Sequence, residues 1–218
     1  QALAAAARIC QRLDGLPLAI ELAAARLKVL SPAALAARLT QALPLLTGGA
    51  AALHPHQRTL RDAIAWSHDL LDPATQRLLA RLGVCIGGFS FDAAVAIDAL
   101  GEAATVDALD QLLDHHLVQR VADLNGEPRY QMLETIREFA WDLLLASGAA
   151  ADVQRRHAAH CVDRVEPLDR CLRSGQRGAA LQLLRAERGN LRAALAFSLG
   201  PDGVPEAAAR LVAALAWW

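Results

Sequence analysis

The sequence predicts a mainly α-helical protein with a single two-stranded β-wing, and three observations carry that prediction. Alanine and leucine dominate while aromatic residues make up only 4% of the chain, a composition that favours helices over sheet. Apolar residues recur at helical spacing through most of the 218 residues. One stretch alone, around Asn125-Gly126, has the short apolar runs and tight turn of paired strands.

The first segment, residues 1–47, reads as three helices. Asp14 can cap the second, with Pro17 in its first turn, where a missing N–H costs little. Leu18, Leu22 and Ala25 fall on one face of it, and Ala19, Ala23 and Ala24 allow close packing. Ser31-Pro32 supplies a cap and an N1 proline for the third, expected to run to about Ala42. Gly48-Gly49 and His54-Pro55 mark a linker.

The second segment, residues 57–147, opens with a helix over 57–71 that carries Leu60, Ile64, Ser67 and Leu71 along one stripe. Asp72-Pro73 starts another, bearing Leu78, Leu79 and Leu82. Gly87-Gly88 breaks the chain before a short helix over about 92–100. Thr105 is then expected to cap a helix with Val106, Leu109, Leu112 and Leu113 inward. Strands over 117–121 and 129–132 flank the Asn125-Gly126 turn, and Ile136, Phe139, Ala140, Leu143 and Leu144 describe a closing helix that Gly148 ends. Helices, a wing and a closing helix make a winged-helix domain.

The third segment, residues 150–218, reads as helical throughout. Val153, Cys161, Val162, Val165 and Leu168 mark one helix; Leu181, Leu184, Leu191, Ala194 and Leu195 mark an antiparallel pair joined near 187–190. A last helix follows Pro205 and runs into Trp217-Trp218, large apolar side chains that a further stacked helical repeat would bury.

Composition bounds the function. The net charge is −1, yet residues 58–142 hold seven basic and fourteen acidic residues. No uninterrupted apolar run approaches the roughly 18 residues of a membrane span, and no charged start leads into an apolar run and cleavage site, so no membrane association and a cytoplasmic location are expected. Cys10, Cys85, Cys161 and Cys171 are scattered, without a Cys-x-x-Cys pair, and read as small apolar fillers. The only lysine, Lys28, sits between Leu27 and Val29, so the chain holds no Gly-Lys-Ser/Thr phosphate loop and no catalysis is expected of it.

Asp14-Gly-Leu-Pro-Leu-Ala-Ile-Glu-Leu-Ala-Ala24 resembles the helical lid of STAND-class (NB-ARC-like) regulatory ATPases. The resemblance extends along the chain to bacterial STAND-type transcriptional regulators, including LuxR-family and antibiotic-regulator-like members. Arg58–Ser67 resembles the first winged-helix segment, Gly88–Ala94 its middle turn, Tyr130–Ala140 the wing strand and closing helix, and Glu187–Leu195 the opening of a tetratricopeptide-like sensor. The resemblance implies that Gly15, Leu16, Pro17 and Leu18 lie against a nucleotide, ADP or ATP with Mg, bound mainly by a preceding domain of a longer protein. It also implies an effector protein or small molecule on the helical repeats. In that family the closing helix begins with a Met-His-Asp-type motif whose histidine reaches the diphosphate. Met132, Leu133 and Glu134 occupy those positions here, and leucine cannot donate a hydrogen bond to phosphate.

Other candidates are weighed on chemistry. A winged helix can place its third helix in the DNA major groove, but the corresponding stretch, about 105–117, carries Asp107, Asp110 and Asp114 and no lysine or arginine, so no direct DNA contact is expected. An intramolecular packing role or a partner-binding helical scaffold fits that charge better. His157, His160 and Cys161 share a helical face at a spacing compatible with metal ligation, although no fourth ligand is apparent. His54, His56, His115 and His116 read as loop and helix-end residues. Ser67, His68 and Asp69 are sequence neighbours that point in different directions on a helix, so no nucleophile relay is expected.

Overall fold

The computed structural model describes residues 2–12, 27, 31–38, 60–98, 100–168 and 177–216. They fall in two compact units, one formed by Gln1–Asp72 with Leu133–Phe139, the other by Pro73–Met132 with Ala140–Trp218.

In the first unit, α1 (Ala2–Arg12) packs against α2 (Pro32–Arg38), burying Ala5, Ile9 and Leu35. Ser31 caps α2 as its position before Pro32 predicts: its Oγ accepts the Ala34 N–H at 3.2 Å. α3 (Leu60–Asp69) turns Ile64 inward. The opening turns of α7 (Glu134–Ala146) contribute Ile136 and Phe139 to the same unit. The Phe139 ring meets the edge of His68 at 5.7 Å, with the Arg61 guanidinium 5.5 Å from its centroid.

The second unit begins with α4 (Pro73–Leu82), started by its N1 proline and burying Leu78, Leu79 and Leu82 completely. β1 (Phe89–Ser90) leads directly into α5 (Phe91–Asp98), where Ser90 Oγ accepts the Ala93 N–H at 3.2 Å. α6 (Glu102–Asp114) follows, then the hairpin of β2 (Gln119–Leu124) and β3 (Glu127–Gln131). Asn125 and Gly126 have φ of 53° and 84°, the left-handed pair that a two-residue I′ hairpin turn needs. The C-terminal part of α7 returns Ala140 and Leu144 to this core. α8 (Ala150–Val165), α9 (Arg177–Ala186), α10 (Arg188–Ser198) and α11 (Pro205–Leu215) then stack by way of Ala158, Cys161, Val162, Val165, Ala180, Leu184, Leu191, Ala194, Leu211 and Ala214.

Three sequence expectations are corrected. The sheet has three antiparallel strands in the order β1-β3-β2, because Phe89 and Ser90 pair with Tyr130 and Arg129. Two residues are too short a run to show strand alternation, and the stacked Phe89 and Tyr130 rings (5.8 Å) carry their share of the pairing across the sheet. Thr105 does not cap α6, which begins three residues earlier with Gly101 at the N-cap (φ 91°). Thr105 is instead a fully buried helical residue whose hydroxyl donates back to the Gly101 carbonyl at 3.0 Å. Consequently the inward stripe of α6 is Thr105, Ala108, Leu109 and Leu112, and Val106 faces solvent.

Candidate functional site

The base of the wing is joined to the following helices by buried polar groups. Asn190, on the first turn of α10 and 3% exposed, accepts the Ile86 N–H on Oδ1 at 2.7 Å. Its Nδ2 donates to the Gly88 carbonyl at 2.9 Å and to Glu187 at 2.6 Å. One amide side chain therefore satisfies an N–H and a carbonyl of the loop that leads into β1. Glu187 also pairs with Arg129 of β3, and Arg129 reaches on to the Ala186 carbonyl at 3.4 Å. Both members of that ion pair are close to full burial, at 8% and 12% exposed. Removing either partner would strand a buried charge.

Glycine makes this junction possible. A Cβ on Gly189 would lie 2.4 Å from the Ile86 carbonyl oxygen, so only glycine lets the α10 backbone approach so closely. The wing has two further links to the helices. Arg164 of α8 makes a two-armed pair with Glu127, one arm at 3.2 Å, and Asn125 Nδ2 donates to the Ala179 carbonyl at 3.3 Å.

Beneath the junction lies His157 of α8, 2% exposed. Burial pushes its pKa down to about 4, against a hydrogen bond that the ring donates to Asn190, which favours the charged form. Its Nε2 is 3.7 Å from Cys161 Sγ, whose thiol is pushed up to about 12 by burial and then by Glu187. A neutral imidazole and an un-ionised thiol describe apolar-core behaviour. Among the described residues no group of three or more His, Cys, Asp and Glu is placed to hold a metal ion.

The outward face of α6 is acidic. Glu102, Asp107, Asp110 and Asp114 are all exposed, and the sequence has no lysine or arginine between Arg81 and Arg120. A hollow of about 300 Å³ between α5, α6 and the wing is lined by Asp92 and Glu127 among others, with no cation among its described lining. The wing's own arginines are engaged: Arg120 with Asp123 at 3.0 Å and Arg129 with Glu187.

The positions singled out in the sequence are scattered between outcomes. Gly15, Leu16, Pro17 and Leu18 lie outside the described residues. The Leu133 side chain is half-buried, and its carbonyl accepts the first helical bonds of α7 from Ile136 and Arg137. Glu134 is held by both arms of Arg137, at 3.0 and 2.6 Å. A leucine and an engaged carboxylate offer no donor to a diphosphate. Next to them Thr135 is fully buried, with no hydrogen-bond partner for its hydroxyl among the described residues. His68 Nδ1 lies 3.2 Å from the Asp69 carboxylate. Arg129 and Asn190, which hold the wing junction together, were not singled out from the sequence. The glycine next to Asn190, at the start of an amphipathic helix, was the available signal of a close backbone approach.

This arrangement defines a winged helix-turn-helix module with its wing packed on helices of the same chain. Residues 71–145 match the winged helix-turn-helix domain family. The chain is 39% identical over 207 residues to a protein of Mycobacterium tuberculosis and to one of Mycobacterium bovis, each named "Putative HTH-type transcriptional regulator"; the match covers 94% of this chain and 23% of each relative. It is 41% identical over 157 residues to an uncharacterized protein of Mycobacterium tuberculosis, covering 70% of this chain and 39% of that one. The chain is thus homologous to a region of longer proteins, some of them named as HTH-type regulators, and spans less than two fifths of the length of these relatives. None of the described helices is long and apolar enough to cross a membrane.

Proposed function

We propose that this chain is the regulatory region of a cytoplasmic signal-transduction ATPase that controls transcription, and that its winged helix is a switch element packed on protein. The carrying observation is the junction just described: β3, the loop before β1 and the α10 helix start are clamped by Asn190 and the Arg129–Glu187 pair. A change in the stacked helices α8–α11 would reach the winged helix through these groups, which supply the contacts of one state of a two-state switch. The lid-like Asp14–Ala24 sequence supports a nucleotide, ADP or ATP with Mg, bound by a preceding domain of the parent protein, with this region supplying packing and no catalysis.

A second reading is favoured by the family match and by the names of the relatives: the winged helix reads DNA. Its third helix, α6, would then have to bring four exposed carboxylates against phosphates, which opposes docking. Fluorescence anisotropy with a labelled duplex separates the two. On the packing reading the chain gives no saturable binding up to about 100 µM at low salt, the weak end of ordinary non-specific affinity. Saturable binding that weakens with salt transfers the assignment to DNA. In parallel, ADP and ATP binding is measured on a longer form of the protein that includes the preceding domain. Binding that Pro17→Ala weakens supports the lid role, and absence of binding leaves a partner-binding scaffold.

A further inference from the structure

The face of α10 turned away from the wing borders a cavity of about 630 Å³, lined by Arg185 of α9, Arg188, Leu191, Arg192 and Leu195 of α10, and Leu215 of α11. From the volume and lining we infer that this cavity binds a small amphipathic carboxylate, its apolar body on the leucines and its head on the arginines. The volume falls within the range of small-molecule sites, which are mostly apolar with a few convergent polar groups.

Charge selects the ligand. Arg155 and Arg156 pair with Asp152, Arg164 with Glu127, and Arg210 with Glu166. Arg185, Arg188 and Arg192, by contrast, have no acidic partner among the described residues. Three guanidinium groups with no acidic partner among the described residues, at the edge of an apolar floor, would repel a cation and leave a neutral ligand's polar end without a matched charge. A carboxylate can accept two parallel N–H bonds from one guanidinium fork.

The site shares a helix with the wing junction. Glu187 and Asn190 face the wing, while Arg188, Leu191, Arg192 and Leu195 face the cavity. Transmission from one face to the other rests on the switch reading above; the binding site itself does not.

Isothermal titration calorimetry of the full chain with octanoate tests the site, with octan-1-ol and octyltrimethylammonium as neutral and cationic controls. Octanoate is expected to bind at one site, the cation not at all, and the Arg188→Glu/Arg192→Glu variant to lose about tenfold or more in affinity. All three arginines are exposed, so the charge changes leave the fold intact, and Arg185→Gln gives a milder second variant. The inference is overturned if octanoate does not bind, if octan-1-ol binds as tightly, or if the reversed variant binds unchanged. Hydrogen exchange of the Ile86 amide, which donates to Asn190, reads transmission separately. Octanoate binding without a change at Ile86 keeps the site and removes the switch reading.

Discussion

Gly189 shows how a single residue can oppose the preference of its own helix. On propensity alone, alanine in place of a helical glycine gains about 0.5–1 kcal/mol. At this position the new methyl would meet the Ile86 carbonyl oxygen at 2.4 Å and the Ile86 side chain at 2.9 Å, and the closest of these is backbone, which cannot rotate away. Relief requires α10 to back off from the loop, which stretches the Asn190 bonds to Ile86 and Gly88. Gly189→Ala is therefore expected to destabilise the second unit by about 1–3 kcal/mol, the usual cost of overpacking. Urea denaturation checks it, and a stabilised variant would show that the backbone contact is dispensable.

Between elements, the Arg129–Glu187 pair joins strand β3 to the start of α10 across 58 residues of sequence. Either single truncation to alanine strands its buried partner, and a cost of about 3–5 kcal/mol is expected for each. In the double variant no charge is stranded, so its cost falls well short of the sum, a coupling that a double-mutant cycle in urea reads directly. Additive costs would mean that the two side chains act independently of each other. The same sequence separation explains what could be read in advance. Ser31-Pro32, Pro73 and Asn125-Gly126 were legible because caps, N1 prolines and I′ turns are decided within four residues. The α6 start was misplaced because Thr105, a good capping residue, bonds to Gly101 from inside the helix. β1 was missed because its two residues become a strand only on meeting Tyr130 and Arg129. The clamp is held by bonds spanning 102 and 104 residues, which no local pattern records.

At the scale of the whole molecule, the acid response of stability follows from what is buried beneath the wing. His157 is held neutral, its pKa lowered from 6.5 to about 4 mainly by burial, with His160 lowering it further and Asn190 and Glu187 opposing. The unfolded chain takes up a proton below pH 6.5 that the folded chain refuses until about pH 4. The contribution of His157 is therefore fully present above pH 6.5 and is lost as the pH falls through that window, by ~3 kcal/mol at most for a shift of this size. His160, also lowered mainly by burial and then by Arg164, acts in the same direction. Asp98 acts in the opposite one. Burial raises its pKa despite the Arg81 guanidinium 3.0 Å away, so the folded state takes up its proton first as the pH falls. The net curve mixes these terms, and the difference between the native chain and His157→Gln isolates one. Urea unfolding at pH 7.5 and pH 5 is expected to show a smaller loss on acidification in the variant, because glutamine carries no proton to refuse. Equal losses in the two proteins would mean that His157 is reached by water and protonates without unfolding.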